Sequence, residues 1–571
     1  MKEQDMGLSL IVLLLATVLV SCTKQYIARD EAETFRNVIV LVPDGCGFAH
    51  MTAARWYKDA PLTQDSMEVS MVRTFSANSA ITGSAAAATA FATGYKTWED
   101  SDRTKCLSIL PDEIIIPVRQ KIAAGDQWRP AATVLEGARL AGKAVGLVAT
   151  CYMSHATPAA FASHWHSRDD TGIIMEQMVY QGADVVFGGG FSYLIESDSM
   201  IPGSAQKGTR RDGENLYEVL LSRGYEVITT EDELLRLTSD KEKVWGMFAA
   251  RHMVHDIDRR LFGPAQPSLA EMTRKAIEIL GKDPDGFFLL VEASQVDWAS
   301  HDNDLVGVVT DYLVFDNAVK VAVDFAKSQP TGRTLVLVFP DHDCGGLAMG
   351  DSGIDYLSFR PEKMLDVIKR TDLTADGIAM KLKTEGGGID TERIKEIIER
   401  HCGIDDLTSE ELKSIEGTLR DTANGYLNEI IGPILSRRAG VGWTTFGHTG
   451  NDVPMFSHGL ERSPKVIDNT QIARLCAEGL GFELDEVTDR LFVDARHLFD
   501  GAAVTFDTSG VHKSMGQLVV ERDRKRATFP FFKNIMIIEK DTVSLEGLTV
   551  YSLKADKVFL PAQARRLFEA F

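Results

Sequence analysis

The stretch Val38-Ile39-Val40-Leu41-Val42-Pro43-Asp44-Gly45-Cys46-Gly47 decides how this chain is read. Five apolar residues follow one another without alternation, as in a strand covered on both faces, and the run stops at an aspartate in a glycine-bounded turn. The same texture returns at 144–148, 184–187, 287–291 and 334–339. Segments such as 132–141 lie between these runs and carry helical periodicity. That rhythm predicts an α/β fold, a doubly wound and mainly parallel sheet.

Working outward, the α/β core is read over 36–352. A different texture covers 353–440: Ile394, Ile397 and Ile398 form one helical stripe, and Leu412, Ile415 and Leu419 another. Thr408 with Glu411 reads as a capping box, and Gly386-Gly387-Gly388 as a break. This is a helical insertion, after which the core resumes over 441–481. Beyond it, 482–571 reads as a small β-rich extension, with strand-like runs at 490–493, 517–521, 535–539, 549–553 and 557–560.

The chain has 571 residues, with 61 Lys+Arg against 82 Asp+Glu and a net charge of −21. Its 44% hydrophobic and 25% charged residues exclude a polytopic membrane protein, a collagen-like chain and a largely disordered one. The acidic excess argues against a partner held by a broad basic face, such as a nucleic acid duplex. Residues 8–20 are largely apolar but shorter than the roughly 20 residues of a spanning helix. They lead into Leu19-Val20-Ser21-Cys22, which resembles the lipobox of bacterial lipoproteins. That resemblance implies a signal peptide over 1–21, lipid on Cys22, and an exported protein of the periplasm or cell surface that touches membrane only through the anchor. The start of the segment departs from the pattern, with Lys2 outnumbered by Glu3 and Asp5; a plain secretory signal or an uncleaved anchor is the other reading. The other cysteines, at 46, 106, 151, 344, 402 and 476, include no CxxC pair and read as isolated buried thiols.

Chemistry gathers at the strand ends. Asp44 follows the first run, Glu292 closes the fourth with Asp297 and His301 just beyond, and Asp341-His342 follows the fifth. Ligand sites of open α/β sheets lie at the carboxyl ends of strands. Each acid alone reads as a capping or solvated carboxylate. Four carboxylates and two imidazoles converging on one edge call for cations, since mixed Asp/His sets suit zinc and oxygen-only sets magnesium. Gly45-Cys46-Gly47 is not a dinucleotide fingerprint: His50 stands at the third glycine position, and Asp44 would face the pyrophosphate. No GxxxxGK[ST] loop occurs. The run Ser84-Ala85-Ala86-Ala87-Ala88 predicts a helix opening at Ser84, where free amides favour an anion; taken alone, Ser84 is an ordinary N-cap.

Seven segments then fall in the order seen in alkaline phosphatases, and the chain resembles that family across 36–481: Asp44-Gly45-Cys46-Gly47, Gly83-Ser84-Ala85-Ala86, His155-Ala156-Thr157-Pro158-Ala159-Ala160, Ser167-Arg168, Val291 through Trp298, Asp341-His342 and Gly447-His448-Thr449-Gly450. The resemblance implies two Zn2+ and one Mg2+. One zinc falls to Asp297, His301 and His448; the other to Asp44, Asp341 and His342, with Ser84 as nucleophile of a phosphoserine intermediate; magnesium falls to Asp44, Thr157 and Glu292. Arg168 would clamp two phosphate oxygens, and His155 and Trp298 match neighbouring positions that vary within the family. The implied substrates are small phosphomonoesters, and a homodimer is left open. Many members carry an acid just before the nucleophile that tethers the arginine; here it is Gly83, which predicts a looser Arg168 and earlier phosphate release. Ala86 and Ala88, where proline and arginine are needed, argue strongly against a sulfatase. A phosphodiesterase of the superfamily and a non-catalytic phosphate- or metal-binding lipoprotein are the alternatives.

Overall fold

The structure, a computed structural model, describes residues 34–99, 107–114, 120–201, 206–238, 240–330, 333–357, 359–385, 390–421, 425–508 and 516–571. Its main sheet has ten strands: β1 (Asn37–Pro43), β2 (Glu68–Arg73), β3 (Ala144–Tyr152), β4 (Val185–Gly189), β5 (Glu226–Ile228), β6 (Val244–Met247), β7 (Phe287–Ala293), β8 (Thr334–Val338), β9 (Val453–His458) and β10 (Val466–Asp468). They lie in the order β10-β2-β9-β8-β1-β7-β3-β4-β6-β5. Only β9 runs against its neighbours; the other pairings are parallel.

The five runs visible in the sequence are β8, β1, β7, β3 and β4, the contiguous middle of the sheet. Each residue of β1 is buried, and its side chains alternate between two cores. Val38, Val40 and Val42 join Phe288, Leu290, Leu335 and Leu337 on one face. Ile39 and Leu41 join Phe287, Leu289, Val291, Val336 and Val338 on the other. The first face packs under α2 (Ser84–Thr93) and α3 (Ala156–Ala162). The second packs under α1 (Phe48–Lys58), α4 (Leu269–Leu280) and α6 (Leu305–Ser328), with the short α5 (Gln295–His301) between α4 and α6 in sequence. Burial on both sides is why these strands show no polar alternation.

Five helices, Pro361–Arg370, Ala375–Glu385, Thr391–Cys402, Ser409–Arg420 and Asn428–Ala439, fill the stretch read as helical. Ile394, Ile397, Ile398 and Ile415 are buried in a third cluster that also takes in Leu305, Val306 and Val309 of α6. The Thr408 box forms, with Glu411 N donating to Thr408 Oγ1 at 3.2 Å and Thr408 N to Glu411 Oε2 at 2.9 Å. The triglycine at 386–388 lies outside the described residues. Polar contacts fix these helices to the turn after His301: Asn428 Nδ2 donates to Asp302 Oδ1 at 2.6 Å, Ala375 N to Asp304 Oδ2 at 2.8 Å, and Ser436 Oγ to Asn303 O at 2.7 Å.

The C-terminal residues build a five-stranded and a three-stranded antiparallel sheet, closed by a helix at Gln563–Ala570. One expectation is corrected here. Residues 490–493 are not a strand: Leu484–Leu491 is a helix, and strand begins at Val493. Leu484, Val487 and Leu491 are spaced for one helical face and are buried together, and that pattern outweighs the local apolar run.

Candidate active site

The turns that leave β1, β7 and β8 interlock. Asp44 N donates to Ala293 O at 3.2 Å, and Gly45 N to Asp341 Oδ1 at 3.1 Å. Gly45 has φ +68°, and a Cβ there would fall on the Asp297 carboxylate and main chain. Only glycine allows that approach. His50 ties the next elements: its Nδ1 accepts from Gly47 N at 3.0 Å, leaving Nε2–H to face Ser300 Oγ of α5 at 3.1 Å.

Two groups of candidate ligands face each other. In one, His342 Nε2 lies 3.1 Å from Asp341 Oδ2 and 3.6 Å from Asp44 Oδ1. In the other, Asp297 lies 3.3 Å from His301 Nε2 and 3.6 Å from His448 Nε2, and the two Nε2 atoms are 3.2 Å apart. Because β9 is antiparallel, the chain entering it is at the same edge where the parallel strands end, so His448 arrives beside residues from β7 and β8. A two-residue bridge sets Cys344 opposite His448. His448 Nδ1 faces Thr82 O at 2.8 Å, and His301 Nδ1 faces Phe446 O, so both rings point Nε2 inward. The His342 and His448 rings stack with centroids 3.6 Å apart.

The third group is Glu292, at the end of β7, with Cys151 and His155. Thr157, in α3, is fully buried and its Oγ1 has no hydrogen-bond partner among the described residues. The same holds for both oxygens of Asp44, and for Glu292 Oε1, Asp297 Oδ1 and Asp341 Oδ2. Buried polar atoms in native proteins are almost always satisfied, so this many oxygens left open in one place fit a site for cations.

The electrostatics agree. Burial, then repulsion from Asp341, Asp297 and Glu292, pushes the Asp44 carboxyl well above its usual range. Burial and Asp297 raise Asp341 to about 6, and burial and Asp341 raise Glu292 to about 7. Asp297 goes the other way: burial opposes its ionisation, but His301, His448 and His342 together hold it below the ordinary carboxylate range. Divalent ions would relieve the repulsion among the first three.

Ser84 is the first residue of α2. Gly83 is the N-cap, so the serine is not itself the cap. Its Oγ stands 3.3 Å from His342 Nε2, at the positive end of a helix whose residues are all buried. Arg168 Nη2 donates to His155 Nε2 at 2.7 Å. A guanidinium only donates, so His155 accepts as a neutral ring; burial, then Arg168 and His252, hold its pKa well below the ordinary value. Trp298 is half-buried, edge-on to His252 at 4.2 Å and to His155 at 5.9 Å, within an aromatic group that includes Tyr152. His164, fully buried, places Nε2 3.0 Å from Glu136 and Nδ1 3.0 Å from Ser108 O, which accounts for it structurally.

Cys151 and Cys344 read from sequence as isolated thiols, and the structure places both within the candidate ligand groups. Both are buried and free, as are Cys46, Cys402 and Cys476, while Cys22 and Cys106 lie outside the described residues. Burial, then neighbouring acids, keep these two thiols protonated, and Cys151 Sγ lies 3.5 Å from Glu292 Oε2. For Cys344, the signal was its position three residues after Asp341 in the same turn.

The sequence model described as alkaline phosphatase matches residues 35–481. The chain belongs to the alkaline phosphatase family. It is 34% identical to Alkaline phosphatase 3 of Bacillus subtilis, an alignment covering 80% of this chain and 91% of the relative. It is 30% identical to the repressible alkaline phosphatase of Saccharomyces cerevisiae, over 86% and 88%. Among solved structures, the Thermus thermophilus alkaline phosphatase superposes with a TM-score of 0.68 at 27% identity, covering 80% of this chain and 95% of that one. The cold-active Shewanella enzyme gives a TM-score of 0.62 at 28% identity, covering 77% and 98%. As an alkaline phosphatase, the protein is a metal-binding hydrolase of phosphate monoesters.

Proposed function

We propose that this enzyme transfers the phosphoryl group of small monoesters to Ser84, forming a phosphoserine that water then cleaves to inorganic phosphate. The observation that carries this reading is Ser84 Oγ at a helix N-terminus, 3.3 Å from His342, facing buried carboxylates with open oxygens. Asp297, His301 and His448 would hold one zinc, Asp44, Asp341 and His342 the other, and Asp44, Thr157 and Glu292 a magnesium. When bound, such cations draw charge from phosphoryl oxygens and lower the pKa of a hydroxyl nucleophile.

The chain's own residues do the rest. The free amides of α2 and its dipole favour the phosphoryl group in front of Ser84. His342 arrives neutral, since burial, then His448, keep its ring well below the ordinary pKa, so Nε2 is available as a lone pair. Arg168 offers two parallel N–H groups to equatorial oxygens, where charge accumulates in the transition state. Its hydrogen bond to His155 gives it one anchor among the described residues. Ser84 is only 3% exposed, so bulk water is largely kept from the attacking oxygen. Within the family the third cation position accompanies monoesterases, and the placement of Thr157 and Glu292 supports monoesters over diesters.

The leader at 1–22 lies outside the described residues; export with lipid on Cys22 is part of the proposal and rests on the Leu19-Val20-Ser21-Cys22 pattern. No described helix is long and apolar enough to cross a membrane. The test is hydrolysis of an aryl phosphate monoester and diester by the full chain, before and after chelation, with zinc and magnesium returned, and by Ser84→Ala. Monoester turnover lost on chelation, and labelled phosphate trapped on Ser84 at acidic pH, are expected. Turnover indifferent to chelation, or a diester hydrolysed faster than the monoester, refutes the reading.

A further inference from the structure

Gly83 leaves a space beside the nucleophile, and another acid fills it. A Cβ built on Gly83 would lie 2.7 Å from both carboxylate oxygens of Glu99. Gly83 N donates to Glu99 Oε2 at 3.2 Å. Glu99 is held there by its own backbone: its N–H donates to Asn78 Oδ1 at 2.8 Å, and its carbonyl accepts from Asn78 Nδ2 at 2.7 Å. The preceding segment is fixed as well, with Ala77 N bonded to Thr97 O at 2.9 Å and the Trp98 indole donating to Glu113 O at 2.9 Å. A half-buried carboxylate is therefore fixed one residue from Ser84, at the helix end that would receive an anion.

We propose that Glu99 is a positioning residue with two effects on phosphate turnover. As a hydrogen-bond acceptor it fixes the Gly83 amide and with it the first turn of α2, from which Ser84 projects. As a charge it opposes the phosphate dianion in front of that turn, so product leaves sooner. This inference rests on the monoesterase reading and says why the missing acid at position 83 does not leave the helix end uncompensated. It also separates two roles that a side chain on residue 83 would combine. Glu99 bonds the Gly83 amide, while Arg168 is anchored on His155.

The experiment measures inhibition by inorganic phosphate and kcat against KM for an aryl phosphate, with zinc and magnesium saturating. Wild-type turnover with phosphate inhibition upholds the monoesterase reading first, independently of Glu99. Glu99→Gln keeps an oxygen acceptor for Gly83 N and removes the charge. The expected result is a phosphate inhibition constant at least fivefold lower, with KM falling alongside it, while Glu99→Asp stays within twofold of wild type. An unchanged or higher inhibition constant in Glu99→Gln overturns the proposal; a purely structural carboxylate gives the first result, and one that tethers Arg168 gives the second. Should Glu99→Gln not fold, Gly83→Ala supplies the same readout, because its Cβ must displace the carboxylate from the amide. Tighter phosphate is again expected, and none refutes it.

Discussion

His255 and Asp311 offer a stability prediction whose size can be worked from the structure. Nδ1 and Oδ2 are 2.6 Å apart, with both side chains almost fully buried. Asp311 lies in α6 and also accepts Asp256 N at 3.1 Å, so the pair ties the loop before α4 to the helix that follows His301. Burial disfavours the imidazolium, but Asp311, with Asp258 and Asp376 behind it, outweighs burial and raises His255 from 6.5 to about 10. The rise of roughly 3.5 units corresponds to at most about 5 kcal/mol at 1.36 kcal/mol per unit. Removing one partner of a buried pair costs about 3–5 kcal/mol, a figure of the same size. The sign follows from a folded pKa above the unfolded one. The stabilisation is complete below pH 6.5, falls by about 1.4 kcal/mol per pH unit above it, and is gone past about pH 10. In His255→Gln, the melting temperature should drop by roughly 3–4 °C at pH 6.5, metals held constant, and the gap should close to about 1 °C at pH 10. A gap that stays constant with pH would refute the ion pair and leave only packing.

Two other perturbations bear on the site. Arg168→Lys keeps the charge but loses the fork, and should lower kcat/KM for an aryl phosphate by about 2–4 kcal/mol of transition-state stabilisation; a loss under threefold would show that Arg168 acts only as a point charge. Stripping the metals should lower the melting temperature and also invert the usual acid sensitivity. Glu292 and Asp341 have folded pKa values raised to about 7 and about 6, so their ionised forms destabilise the metal-free protein above those values and the penalty fades as pH falls through them. Metal-free protein should therefore melt higher at pH 5.5 than at pH 8, and a melting temperature lower at pH 5.5 than at pH 8 would contradict the repulsion.

The middle of the sheet could be read from sequence because burial on both faces removes polar alternation, as in Val38 through Val42. The flanking strands could not. β2 is largely exposed, and β9 carries Pro454 and ends in Ser457-His458, so neither shows an unbroken run. The same physics divides the ligands. The candidate ligands Asp44, Glu292, Asp341 and His342 stand at or just beyond the ends of parallel strands, where the strand-end rule looks for them. His448 precedes an antiparallel strand, so the rule points away from it, and the ordered motifs alone brought it in. Glu99 was out of reach of both, because its place beside Gly83 depends on Asn78 holding a loop that no periodicity marks.

The net charge of −21 gains a sharper meaning from this arrangement. Asp44, Glu292, Asp297 and Asp341 are buried, and burial with mutual repulsion opposes ionising all four at once without cations to offset them. Three divalent ions and Arg168 would give that pocket the opposite sign from the whole chain. Glu99 then stands apart from these four acids: among the described residues it bonds the helix end and none of the three groups. On the proposed reading, the acids in the cluster would make phosphate binding possible by holding the metals, whereas the acid at the helix end limits how long phosphate stays.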